Sequence, residues 1–518
     1  MTIMNGAESL VRTLVASGIE VCFANPGTSE LHFVAALDKM SGMRAILCLF
    51  EGVVTGAADG YGRIAEKPAC TLLHLGPGLA NGLANLHNAR RAATPIVNVV
   101  GDHATYHTRY DAPLASDVAG FARPVSGWIQ SSASALTVAA DAARAVQASM
   151  EPPGQIATLI LPADTAWSEA DRPAPSLPRP QIAAADAKAV DQAVDALRTG
   201  KKAAILIRGS ALKEPGLKTA GRISAKTGVR IFCDTLAPRI QRGAGRVVAE
   251  RIPYWSEDIV DFLKGVEQLI LVGAKPPVTF FAYPGKTSWP TPEGCKIMVL
   301  SHAHEDGAAA LDALADALNA PPAPVNVAVL TTPALPKSGK LDARAVMQVI
   351  AHYLPEGAIL ADEALTSGHP YYHYTTTCAP HDYLNVAGGA IGGMAPVGTG
   401  AAVGCPDRKV VCLEGDGSAM YTLQALWTQA RERLDVTTVI YANRSYAILN
   451  IEFARVGVDT PGLTAQSLLD LHDPALDWVK LAEGMGIEGA RAETTERFAD
   501  LFTSAMKTRG PRLIEAVI

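Results

Sequence analysis

No CxxC pair occurs among the eight cysteines, which stand scattered at Cys22, Cys48, Cys70, Cys233, Cys295, Cys378, Cys405 and Cys412. In a chain of 518 residues that spacing excludes a disulfide framework and a zinc cluster, and it reads as buried reduced thiols of a cytoplasmic protein. Long apolar runs are also missing. The longest are about five to eight residues, and a helix needs about 20 to cross a bilayer. The opening residues, MTIMNGAESLVRTL, carry no apolar leader core and no cleavage site, so no secretory signal is expected. Charge of one sign is not concentrated anywhere: 45 basic and 51 acidic side chains give a net charge of −6, spread along the chain. With no basic patch and no basic amphipathic stretch, neither nucleic acid nor a membrane surface is an expected partner. There is no GxSxG and no HExxH. Gly285-Lys286-Thr287 looks like the end of a P-loop, but Phe280 stands where its first glycine is required. The glycines of residues 398–404 follow no clear strand and read as a helix packing face.

What is present is a rhythm. Short β-rich runs without polar alternation, such as residues 95–100 (PIVNVV), 203–208 (AAILIR), 268–272 (QLILV), 409–413 (KVVCL) and 436–441 (VTTVIY), alternate with Ala/Leu-rich helical segments. Such runs suit strands covered on both faces of a parallel sheet. The pattern predicts an α/β protein built of three doubly wound parallel-sheet domains. Proline-rich breaks at residues 172–180 and 321–336 place the expected domains at residues 1–172, 183–320 and 340–518.

One stretch carries chemistry. The run KVVCL leads into Glu414-Gly415-Asp416-Gly417-Ser418 and then a segment expected to be helical, residues 420–433. The next run, VTTVIY, ends at Ala442-Asn443-Arg444-Ser445, so Asn443 stands 27 residues beyond Asp416. Both would lie at carboxyl ends of neighbouring strands, where doubly wound sheets bind ligands. Gly415 and Gly417 allow a tight turn against a phosphate, and the following helix N-terminus would face that anion. Mg²⁺ takes hard oxygen ligands and keeps phosphate in its shell. Asp416, Asn443 and a nearby carbonyl such as that of Ser445 are the candidate metal ligands.

The second candidate is Glu51, in LCLFEGVVTGAADGYGR (residues 47–63), an acidic side chain among apolar neighbours just ahead of a small-residue helix. A buried lone carboxylate is costly unless it has a partner or a task.

Together these motifs resemble the thiamine diphosphate-dependent enzymes of the benzoylformate decarboxylase and acetolactate synthase superfamily, over essentially the whole chain. The resemblance implies thiamine diphosphate and Mg²⁺ as cofactors and an N-terminal pyrimidine-binding, a central and a C-terminal diphosphate-binding domain. It also implies decarboxylation of a 2-oxo acid, carbon–carbon ligation to an aldehyde acceptor, or both. Glu51 then corresponds to the glutamate that bonds the aminopyrimidine ring and promotes the imino tautomer that deprotonates the thiazolium. The loop Asn25-Pro26-Gly27-Thr28-Ser29-Glu30-Leu31 resembles the family's NPGSNEL, placing Thr28 near a substrate carboxylate. Leu73-His74 ahead of a Gly-rich loop, residues 76–81, makes His74 the substrate-side acid/base. Gly389 and Ile391 match the segment that supports the bent cofactor; Ser418, Thr366 and Ser367 match diphosphate contacts. The family's second histidine is missing from residues 278–285 (VTFFAYPG), which leaves His103 or His107 as the candidates to stand in for it. The two could also ligate a metal if helical. Glu452 is an unusual charge for a pocket-lining helix. No intact FAD fingerprint appears in residues 183–319, so FAD is not expected. A homodimer or homotetramer is implied, because Glu51 and Asp416, 365 positions apart, serve opposite ends of one cofactor. An acetolactate synthase-like enzyme, a flavin-dependent oxidase on the same scaffold and a non-catalytic cofactor-binding relative stay open as alternatives.

Overall fold

The computed structural model describes residues 4–518, the side chains of 370 and 371 excepted. Three sheets dominate. The first orders its six parallel strands Arg44–Leu47, Val21–Asn25, Ala69–Leu73, Ile96–Asp102, Ile156–Pro162, Trp128–Ser131. The second orders five parallel strands Glu250–Arg251, Arg230–Cys233, Ala203–Ile207, Gln268–Val272, Lys296–Ser301. The third has seven strands, ordered Arg239–Arg242, His381–Asn385, Ile359–Glu363, Val410–Gly415, Val436–Ala442, Arg512–Val517, Glu488–Ala492. Its first strand is antiparallel, so a piece of the central segment edges the C-terminal sheet. The expected α/β class with several parallel sheets is what the chain adopts. Continuous apolar strands form because helices cover both faces and leave no solvent side to keep polar.

Chain reversal creates crevices. In the first sheet the chain leaves Val21–Asn25 to one side and returns on the other at Ala69–Leu73. In the third it leaves Ile359–Glu363 and returns at Val410–Gly415. These are switch points, where the loops after the strands part and open a ligand site. Thr28 and His74 follow the two strands of the first, Val21–Asn25 and Ala69–Leu73; Thr366, Ser367 and Asp416 follow those of the third.

The first and third sheets are welded together. Helix Glu51–Ala65, buried along nearly its whole length, packs on helix Met394–Gly404. Glycine permits this approach: a Cβ on Gly60 would lie 1.9 Å from the Val397 carbonyl oxygen, and one on Gly400 would lie 1.8 Å from that of Ala57. The glycines of residues 398–404 are therefore a helix packing face, as read from the sequence. One apolar core runs through both segments, joining Val53, Ala57 and Tyr61 to Ile359, Val397 and Cys412. Arg63 completes the junction. Its guanidinium pairs with Asp59 one turn earlier, both side chains buried, and donates to the carbonyls of Pro238 at 3.2 Å and Asn385 at 2.7 Å. A single side chain thus ties all three sheets' segments together.

Two local expectations are corrected. Residues 76–81 are not a loop but the start of the 18-residue helix Leu75–Ala92. Its glycines let it lie close to the neighbouring helix, with Gly82 against Thr55. Residues 420–433 are not one helix: after the short Asp416–Ala419 helix the chain turns, and helix is regained only over Gln424–Arg431. Among the described residues no helix is long and apolar enough to cross a membrane, and all eight cysteines are free.

Candidate active site

Nearly all the C-terminal candidates meet in one cavity of about 580 Å³. Asp416 is placed by the end of strand Val410–Gly415 and Asn443 by the end of Val436–Ala442. Backbone bonds fix both. Asp416 Oδ1 accepts from Gly417 N–H at 2.9 Å and Oδ2 from Arg444 N–H at 2.6 Å. Asn443 Oδ1 accepts from Ser445 N–H at 3.0 Å. Burial pushes the Asp416 carboxyl up, against the pull of those N–H donors. Ser445, Gly415, Gly417 and Ser418 line the same space, as do Thr366 and Ser367 from the opposite side of the switch point. Among the described residues no group of three or more His, Cys, Asp or Glu could hold a metal ion. A cation here would therefore lean on one carboxylate, neutral oxygens and a ligand's phosphate, the donor set that suits Mg²⁺.

Gly389 and Ile391 form the cavity's other lip. Gly389 has φ +75°, and Phe280 of the central segment packs where a Cβ would be. This lip is heavily tied down. Glu363 accepts three N–H bonds, from Gly392 at 2.8 Å and from Gly393 and Met394 at 2.9 Å each. From helix Leu75–Ala92, Asn88 donates to Ala390 O at 2.8 Å and accepts from Ala390 N–H at 3.1 Å, and Asn85 donates to Gly392 O at 3.2 Å. Glu363 is fully buried beside Glu414, its register partner on the adjacent strand. Desolvation pushes both carboxyls up, Glu363 to about 7 despite its three N–H donors, and the Glu363 charge raises Glu414 further. Sequence reasoning missed Glu363, Glu414, Asn85 and Asn88. The available signals were acidic residues ending two apolar strands and an Asn pair at i, i+3 on one helix.

Glu51, His74, Thr28 and His103 do not line this cavity. Glu51 opens its helix, 8% exposed, and its Oε2 accepts from Asn81 at 3.0 Å. His74 precedes helix Leu75–Ala92 without capping it, and its Nδ1 lies 2.8 Å from Oε2 of the buried Glu30. Glu30, also missed, accepts the Gly27 N–H at 2.8 Å, and burial pushes its carboxyl up. Thr28 is exposed on the 3₁₀ turn Thr28–Glu30 at the same switch point. His103 and His107 are not on a helix; their rings lie 5.4 Å apart in a turn after strand Ile96–Asp102. The His103 Nε2 is buried with no partner among the described residues.

Known proteins place this arrangement. Residues 4–130 match the thiamine pyrophosphate enzyme, N-terminal TPP binding domain, and residues 367–516 the C-terminal TPP binding domain. The Mycobacterium tuberculosis protein named "Putative acetolactate synthase large subunit IlvX" is 52% identical over 517 residues, 99% of each chain. The chain belongs to the thiamine pyrophosphate enzyme family. Within that family, Pseudomonas aeruginosa benzoylformate decarboxylase is 27% identical over 544 residues, 96% of each chain. The family fold extends to the Rhodococcus jostii RHA1 thiamine diphosphate-dependent 4-hydroxybenzoylformate decarboxylase, with TM-score 0.85, 23% identity and coverage of 99% and 98%. Benzoylformate decarboxylase of Polynucleobacter necessarius superposes with TM-score 0.84 at 20% identity, covering 100% of this chain and 99% of that one.

Proposed function

We propose that this thiamine diphosphate enzyme is Mg²⁺-dependent, decarboxylates a 2-oxo acid, and can ligate the resulting acyl unit to a second carbonyl compound. The observation that carries this reading is the single cavity holding Asp416, Asn443, Ser445, Gly389 and Ile391. Asp416, Asn443 and the Ser445 carbonyl would hold the metal. Gly415, Gly417 and Ser418, with Thr366 and Ser367, would bind the diphosphate. The Gly389 carbonyl would accept from the 4′-amino group, and Ile391 would support the cofactor. When bound, thiamine diphosphate supplies a carbon nucleophile and an electron sink.

Glu51 holds and returns the proton at the pyrimidine ring. His74, oriented through Nδ1 by Glu30, moves a proton through Nε2 at the substrate. Thr28 orients the substrate carboxylate, and His103, with its open buried nitrogen, adds a polar group on that side. Residues 278–285 present Phe280 and Phe281 to the cavity in place of a histidine. Fewer proton donors there favour ligation over aldehyde release, in keeping with relatives named for acetolactate synthase.

Residues 1–172 act as the pyrimidine-binding domain, 183–320 as the central domain and 340–518 as the diphosphate-binding domain. Because Glu51 and His74 lie outside the cavity, the protein works as a homo-oligomer in which the first domain of one protomer completes the site of its partner. The test is a screen of 2-oxo acids with thiamine diphosphate and Mg²⁺, following CO₂ and hydroxyketone together. Release of neither from any acid, with cofactor bound, would reject the reading.

A further inference from the structure

Part of the cavity is lined by helix Ala447–Arg455, which starts just after the metal loop, and by the central segment. On this helix Ile448, Ile451, Glu452 and Arg455 fall at i, i+3, i+4 and i+7, one face. Arg455 is already engaged: its Nη1 lies 2.6 Å from Glu257 Oε1, and its guanidinium sits 3.8 Å from the Trp255 ring centroid. Glu452 is not. Its Oε1 accepts from the Tyr283 hydroxyl at 3.0 Å, and its Oε2 has no partner among the described residues.

Across from it stand aromatic rings. Tyr254 meets Trp255 edge-on at 4.7 Å and Phe280 at 5.2 Å, and Phe280 meets Phe281 at 4.8 Å. Phe280 and Phe281 remain 42% and 52% exposed, an apolar wall open to the cavity. Burial and the Glu452 charge push the Tyr254 and Tyr283 hydroxyls up, Tyr283 to about 12, so both stay neutral at pH 7. The space is thus an aromatic slot with a half-satisfied carboxylate at one end. Glu452 lies roughly 8 Å along the helix axis from Ala447, beside the metal loop, a separation of the order of an aryl ring and its substituent.

We propose that Glu452 is a specificity-determining residue that reads the far end of the substrate, and that the preferred substrate is an aryl 2-oxo acid bearing a distal hydrogen-bond donor, a hydroxyl or an ammonium. This rests on the 2-oxo acid reading above and names its substrate class. Flat rings match the slot walls. An unsubstituted ring would desolvate the open Oε2 and give it no partner, which is costly. A donor satisfies it, and a distal carboxylate is repelled. A small aliphatic 2-oxo acid leaves the walls wet.

The test uses the full chain with thiamine diphosphate and Mg²⁺. Its probes are phenylglyoxylate and the 4-hydroxy, 4-aminomethyl and 4-carboxy derivatives. The wild type should prefer a donor-bearing acid over the unsubstituted one by at least about tenfold in kcat/KM and should reject the 4-carboxy compound. Whichever donor gains more identifies hydroxyl or ammonium. Glu452→Gln should shrink the preference, and Glu452→Leu should level it and admit the 4-carboxy acid. Tyr283→Phe should keep it, since Oε1 is then also free.

Calorimetric Kd values for the same acids, measured whether or not turnover occurs, separate this inference from the reaction. If Kd ratios follow residue 452 while no CO₂ is released, the decarboxylase reading fails and the specificity role stands. If CO₂ is released but neither ratio responds to Glu452→Leu, the specificity role is overturned. It is also overturned if both variants slow all four acids equally, or if none of the acids binds.

Discussion

Glu30 Oε2 lies 2.8 Å from Nδ1 of His74 and accepts the Gly27 N–H at the same distance. Because that oxygen already accepts a backbone proton, it fixes the imidazole with Nδ1–H towards it and Nε2 towards solvent. His74→Ala should lower kcat/KM roughly 100-fold. Glu30→Ala should produce part of that loss, and the double variant should be no worse than His74→Ala alone. A double-mutant cycle on kcat/KM checks this; simple additivity would mean that Glu30 does not act through His74.

Glu51→Gln and Asp416→Ala should each abolish most turnover. Glu51→Gln should lower it by roughly 100- to 10,000-fold, with cofactor still bound; Asp416→Ala should lose metal-dependent cofactor retention by calorimetry while the fold survives. Co-expressed with separate tags, the two variants should regain activity in mixed oligomers. About a quarter of the sites in an equal mixture of dimers would pair an intact Glu51 with an intact Asp416. No recovery in purified mixed oligomers would place both residues of one site on one chain.

Arg63→Met removes the cation from a buried pair and should cost about 3–5 kcal/mol in denaturant unfolding. Asp59→Asn together with Arg63→Met should recover part of that cost, because no uncompensated charge is left.

The Glu363–Glu414 pair sets a pH dependence. Burial raises the folded carboxyls above their ordinary range, Glu363 to about 7 from 4.5. Between those values the folded chain holds a proton that the unfolded chain has released. Stability is therefore present in full below pH 4.5 and is lost as pH rises towards 7, by at most about 1.4 kcal/mol per pH unit for one proton. Glu414→Gln should flatten that slope in unfolding curves taken from pH 5 to 8.

The strands and the turn after Val410–Gly415 were legible because their signals are local: an apolar run, then Gly-Asp-Gly. Asp416 and Asn443 follow from strand ends alone. Glu30 and Asn88 were not legible, because what makes each matter is a partner 44 residues away in one case and 302 in the other. Residues 76–81 misled for a physical reason. Glycine lowers helix propensity, and only the neighbouring helix, invisible in one local window, repays it. Glu452 stood out as an oddity of composition; its free oxygen and its tyrosine partner needed coordinates.

The weld between helices Glu51–Ala65 and Met394–Gly404 also bears on how the chain can be cut. Proline-rich stretches at residues 172–180 and 321–336 look like places to divide it into modules. A fragment ending there would carry the first of these helices with its glycine-floored groove open to water and Arg63 stripped of two carbonyl acceptors. Modularity here is a property of the sequence and not of the thermodynamics: the pieces are drawn separately, yet they should melt in one transition, and an isolated N-terminal fragment should be recovered as aggregate.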